Sequence, residues 1–87
     1  MTVELFDLLT EICTKLVDTP VRVTIEIDDN EEGVHYIVRT ERGEEGQLIG
    51  KAGSLINSIR TIMRSSARKL GDRKVYVDIA TGTKGLS

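Results

Sequence analysis

Two glycines three positions apart, Gly50 and Gly53, stand between two stretches of helical periodicity, and they limit this chain more than any other feature. Downstream, residues 54 to 70 place Leu55, Ile56, Ile59, Ile62, Met63, Ala67 and Leu70 on one helical face, with Ser54 as candidate N-cap and Gly71 as the stop. Upstream, Gln47-Leu48-Ile49 suffices for one helical turn that packs Leu48 and Ile49 inward. Gly50-Lys51-Ala52-Gly53 must therefore reverse the chain within one tight turn, and glycine at both ends removes the Cβ penalty of doing so. The amides at the start of the following helix, aided by its dipole, favour an anion, and Lys51 adds a positive charge at the tip. A phosphodiester suits such a turn. A nucleotide-binding P-loop does not fit, because only three residues separate Gly46 from Gly50 and Ala52 follows Lys51 where Ser or Thr is needed. A dinucleotide fingerprint fails too, for want of an opening Gly-x-Gly directly after a strand.

The flanking sequence supplies the rest of a small layered fold. Residues 2 to 17 carry Leu5, Phe6, Leu9, Ile12, Cys13, Leu16 and Val17 at helical spacing, with Thr2 as the expected cap and Asp18-Thr19-Pro20 as the stop. Val21, Val23, Ile25 and Ile27 alternate with polar residues as a strand with one buried face, and 28–33 reads as a polar turn. Residues 34 to 40 form a second strand, so the short connection predicts an antiparallel hairpin. Residues 41 to 45 read as a charged loop, and 74–79 alternate again as a third strand. Residues 81 to 87 have nothing to bury and are expected to form a flexible tail after one domain spanning 1–80.

Charge sharpens the reading. The formal net charge is -2, yet residues 1 to 46 hold twelve acids against four bases, while residues 47 to 87 hold eight bases against Asp72 and Asp78. The second half is thus expected to meet an anionic partner. On the long helix Arg60, Arg64 and Arg68 recur every fourth residue, and Arg60 and Arg64 are the pair expected to reach that partner, Arg68 lying further from the loop. A chain of 87 residues buries only about 60% of its unfolded surface, leaving no room for an enclosed active site. It also offers no nucleophile with a matched base, no paired carboxylates and no metal-ligand set, so neither catalysis nor a cofactor is expected. Cys13 is the single cysteine and reads as core; with no apolar run of membrane length, the expectation is a cytoplasmic protein with no membrane contact. His35 reads as a surface strand residue. Phe6, Tyr36 and Tyr76 are the only aromatics, too few for recognition built mainly on base stacking.

Gly46-Gln47-Leu48-Ile49-Gly50-Lys51-Ala52-Gly53, then Ile56 and Ile59-Arg60-Thr61-Ile62, and the closing Val75-Tyr76-Val77-Asp78-Ile79 together resemble a KH domain. The helix-strand-strand-helix-helix-strand order resembles its type II form, and residues 1 to 80 are similar to the small bacterial single-KH RNA-binding proteins. The resemblance implies an α+β fold with a three-stranded mixed sheet and helices on one face. It further implies a loop of Gly50, Lys51, Ala52 and Gly53 that clamps about four nucleotides of single-stranded RNA. Ile49 would help floor the groove for the bases, and Ser54, Arg60 and Arg64 would complete the RNA-binding set; Ala52 leaves the loop with one charged side chain. Family members are described as RNA chaperones or regulators that pair with a second KH-containing protein, so a homodimer or such a heterodimer is expected. The competing reading is a protein-interaction or assembly module on a KH scaffold that binds little RNA.

Overall fold

The computed structural model describes residues 3–80. The expected Thr2 cap and the tail at 81–87 lie outside the described residues. Helix α1 spans Val3–Leu16, strands β1 and β2 span Thr24–Asn30 and Gly33–Arg39, helices α2 and α3 span Glu45–Ile49 and Ser54–Lys69, and β3 spans Val75–Ala80. The strands lie in the order β1-β2-β3, β1 antiparallel to β2 and β2 parallel to β3. Since parallel neighbours cannot be joined by a tight turn, the α2–α3 pair forms the crossover. This is the expected α+β fold with a mixed three-stranded sheet.

The core lies between helices and sheet. Leu5, Leu9 and Cys13 of α1, Ile56, Ile59, Met63 and Ala67 of α3, Val34, Tyr36 and Val38 of β2, and Val75 and Val77 of β3 are all buried. No polar or charged residue is buried among the described residues. Helix α3 stops as Gly71 turns left-handed (φ 71°), with Gly71 N–H donating to Arg68 O at 3.1 Å and Asp72 N–H to Ala67 O at 2.9 Å, the paired bonds of a Schellman end.

The hairpin differs from its sequence reading at both ends. Residues Pro20–Arg22 form one turn of 3-10 helix instead of opening β1, and Val21 is 86% exposed. Proline fixes φ near the helical value at the first position of that turn, and Arg22 N–H and Val23 N–H close it on Thr19 O and Pro20 O. At the other end Asp28, Asp29 and Asn30 continue the strand, and Glu31-Glu32 alone make the connection. Asn30 Oδ1 accepts from Glu32 N–H at 2.8 Å, a side-chain turn that lets the reversal be so short. Alternation identified the inward face of β1 but not its depth: Ile27 pairs with buried Tyr36 yet is 37% exposed, because β1 is an outer strand. Ile62 on α3 and Leu70 at its C-cap, both placed on the apolar helical face by periodicity, are each 45% exposed.

Candidate nucleic-acid interface

The loop is built from its anchors outward. Leu48 is fully buried and Ile49 packs partly against the core, which fixes α2 from below. From the side, α2 is held by a reciprocal polar clamp to the end of α1. Asp18 N–H donates to Gln47 Oε1 at 2.9 Å while Gln47 Nε2 donates back to Asp18 Oδ2 at 2.8 Å. Thr19 gives its N–H and its hydroxyl to the two carboxylate oxygens of Glu44. None of these four residues is identifiable from sequence, where Asp18-Thr19 reads only as a helix stop.

Past Ile49 the backbone takes three positive φ values in four residues. Gly50 sits at φ 77°, ψ 177°, Ala52 at φ 56°, ψ 27°, and Gly53 at φ 77°, ψ 10°. The first of these regions is essentially closed to other residues. A Cβ at Gly50 would also stand 2.5 Å from Leu55 Cβ and 2.9 Å from Leu55 N, so glycine is required on two counts. Gly50 N–H bonds Gly46 O and Gly53 N–H bonds Gly50 O. Among the described residues the N–H groups of Lys51 and Ala52 have no backbone acceptor, and the Lys51 ammonium has no carboxylate partner. Both side chains are exposed. The arrangement presents two unengaged donors and one mobile cation at the N-terminal end of a 16-residue helix, which is what an anionic oxygen needs.

The other candidates separate. Ser54, read as the N-cap, is the first helical residue with φ -65°, ψ -37°, and Gly53 occupies the cap in the left-handed region. Ser54 therefore makes no capping bond and lies exposed at the mouth of the loop. Arg60 and Arg64 lie about 9 Å and 15 Å further along the axis of α3. Arg60 is held by the sheet: its Nε–H donates to Val77 O at 2.8 Å, and its remaining nitrogens reach Asn57 Oδ1 and Asp78 Oδ1, both at 3.3 Å. Among the described residues Arg64 uses only its Nε–H, on Arg60 O at 3.3 Å. These two arginines overhang a shallow pocket of about 210 Å³ along the outer edge of β3, with His35 and Tyr76 on its far side.

Elsewhere, burial pushes the Cys13 thiol up to about 11, so it stays protonated at neutral pH. Among the described residues no group of His, Cys, Asp and Glu could hold a metal ion, and no helix is long and apolar enough to cross a membrane.

Comparison with known proteins places this geometry. The chain is 32% identical to RNA-binding protein KhpA of Oceanobacillus iheyensis over 72 residues, covering 83% of this chain and 95% of that one. It is 32% identical to RNA-binding protein KhpA of Aquifex aeolicus over 69 residues, covering 79% and 87%. It is also 43% identical to GTPase Era of Thermotoga maritima over 63 residues, 68% of this chain but 21% of that protein. The crystal structure of Aquifex aeolicus Era bound to GDP and aluminium fluoride superposes with a TM-score of 0.60 at 19% identity, covering 93% of this chain and 31% of that one, a likeness of fold. The family model for the KhpA/KhpB KH domain matches residues 6–79, nearly the whole described fold, and this chain belongs to that family.

Proposed function

We propose that residues 1–80 form a single KH domain that binds single-stranded RNA in the cytoplasm without catalysis, gripping the backbone at Gly50-Lys51-Ala52-Gly53. The observation that carries this reading is the loop itself: among the described residues the N–H groups of Lys51 and Ala52 and the Lys51 ammonium have no partner, on an exposed turn whose conformation needs glycine. Relatives over almost their full length are RNA-binding proteins by name. Ile49 and Ser54 border the grip, and Arg64 offers the next cation along α3. Recognition through phosphates makes binding weakly selective and steeply salt-dependent despite the acidic net charge.

The test is the pair of substitutions Lys51→Asp and Ala52→Asp in one chain. Both side chains are exposed, and Asp tolerates the left-handed conformation of residue 52 better than most residues do, so the melting temperature should stay within a few degrees of wild type. Two negative charges where a phosphate must approach should lower RNA affinity about a hundredfold. Unchanged binding by the folded variant would refute the loop's role.

We also propose that the chain pairs with a second copy or with a second KH-containing protein. Exposed Val3 on α1, Ile62 on α3 and Leu70 at the C-cap of α3 support it. A monomer by light scattering at high concentration, with no partner retained from cell extract, would count against pairing.

A further inference from the structure

Helix α2 is too short to set its own direction, and the loop inherits whatever direction it has. Its five residues fall well below the roughly 12–15 at which an isolated helix becomes even marginal, and Gly46 within it weakens it further. Its buried anchor is Leu48, with Ile49 packed partly beside it, so the core holds the C-terminal end of α2 and leaves the other end to pivot. A residue at a helix cap ordinarily turns its side chain to the helix's own free amides. Glu44 stands at the cap of α2 and makes no such bond; its two carboxylate oxygens accept from the Thr19 N–H, at 3.0 Å, and from the Thr19 hydroxyl.

That bond is one rung of a ladder. Asp18 and Gln47 exchange two hydrogen bonds, at 2.9 and 2.8 Å, and Arg22 Nε stands 3.9 Å from Glu41 Oε1. The connection after α1 thus meets residues 41, 44 and 47 in antiparallel order. On that side the rungs are joined through the backbone and lead into the loop: Glu44 N–H donates to Glu41 O, Gln47 N–H to Glu44 O and Gly50 N–H to Gly46 O, each at 3.0 Å. The rungs are exposed or half-buried, so water competes for them and their contribution to folding is small. Direction is what they can fix, because bonds at separate points define an axis where one anchor would be a hinge. We propose that this ladder positions the loop for RNA: Asp18 and Thr19, acting through Gln47 and Glu44, set the direction of α2 and with it the direction of the amides of residues 51 and 52. All four are positioning residues that hold the grip without touching the nucleotides.

This inference rests on the RNA reading of the loop, and one set of variants separates the two. Binding of an unstructured oligouridine is measured at a temperature where circular dichroism shows each variant fully folded, so a ladder that only adds stability would leave affinity unchanged. Gln47→Glu sets a second carboxylate against Asp18 where a donor stood. Affinity should fall about tenfold, the loss expected when the competent direction is held about a tenth of the time. Adding Asp18→Asn returns a donor from the other side of the pair and restores the wild-type net charge, so affinity should recover to within about twofold. Asp18→Asn alone should bind like wild type. Thr19→Val adds no charge near the RNA and removes the hydroxyl bond to Glu44; it should weaken binding about threefold, and it carries the test should Gln47→Glu fold poorly. The backbone amide resonances of residues 51 and 52 should shift in Gln47→Glu and return in the double variant. The positioning role is overturned if a folded Gln47→Glu or Thr19→Val binds like wild type. It is overturned equally if Asp18→Asn fails to rescue Gln47→Glu, which would assign the loss to the charge at position 47. Lys51→Asp with Ala52→Asp must lower binding in the same assay; if it does not, the loop reading fails instead.

Discussion

The loop at Gly50–Gly53 and the seam where α3 meets β3 both present positive charge, and they hold it in opposite ways. At the loop, the Lys51 ammonium and the amides of residues 51 and 52 have no partner among the described residues, and the backbone carries the constraint through positive φ values. At the seam the backbone is regular, and the constraint lies in a side chain: Arg60 bonds the Val77 carbonyl and reaches Asp78 and Asn57. One region leaves its donors open and the other uses them to fasten a helix to an outer strand. A cation's role therefore follows from its partners more than from its place in a basic stripe.

The largest expected effect breaks the loop through its backbone alone. Gly50→Ala leaves every charge in place, yet forces a side chain into a glycine-only conformation and within 2.5 Å of Leu55 Cβ. Strain and overpacking together should cost about 3 kcal/mol. Thermal unfolding should then occur roughly 12–24 °C lower, with RNA affinity lost at temperatures where the fold persists. A variant that melts like wild type would show that the loop conformation is not demanded by its packing.

The next effect lies in the core and should leave the loop untouched. Burial raises the Cys13 thiol from its ordinary value of 9.0 to about 11. The folded state thus releases this proton later than the unfolded state does. Stability from this group is complete below pH 9 and falls as pH rises toward 11, by up to about 2–3 kcal/mol at one pKa unit per 1.36 kcal/mol. Denaturant midpoints between pH 8 and 10.5 should decline in wild type and in the Lys51→Asp, Ala52→Asp variant alike. Cys13→Ala should start lower and decline less; an equal decline would assign the alkaline loss to other groups.

Arg60→Met sharpens the comparison directly. It keeps the aliphatic stem but removes a 2.8 Å bond to Val77 O and the ion pair with exposed Asp78, which water can partly replace. The loss should be about 1 kcal/mol, seen as a lower urea midpoint, and Arg60→Lys should not restore the bond geometry. If Arg60 serves the seam, the salt dependence of RNA binding keeps its slope. A slope reduced by about one would instead make Arg60 a phosphate contact, the role proposed for Lys51.

The two regions were not equally legible in the sequence. Glycine spacing between two helical stripes locates the loop, since few backbones need Gly at both ends of a four-residue reversal. The order of elements follows in the same way from local periodicity. What could not be read are relations between distant residues: Thr19 finds Glu44 and Asp18 finds Gln47 across 25 to 29 positions. Arg60 meets Val77 across 17. The His35–Tyr76 stack depends on the parallel register of β2 and β3, which no local pattern encodes. Even the local reading failed at Val21, where a proline-led turn carries residues that alternate like a strand. Ala52 was legible as a missing charge but not as a strained residue.

That strain supplies the smallest and most discriminating prediction. Ala52 is the only described non-glycine residue with positive φ, at 56°. A left-handed alanine costs about 1–2 kcal/mol through its Cβ and the following carbonyl oxygen. Ala52→Gly removes that cost, but glycine loses about 0.4–1 kcal/mol more conformational entropy on folding. The balance favours the variant by roughly 0.5 kcal/mol, and on a domain of this size should raise the melting temperature by about 2–4 °C. RNA affinity should change less than threefold, since the amide of residue 52 and the Lys51 ammonium stay where they are. A variant that melts lower than wild type would mean that Ala52 relaxes without penalty in the unliganded loop. One that gains stability but loses affinity tenfold would mean that the methyl group itself touches RNA, moving Ala52 from scaffold to contact surface.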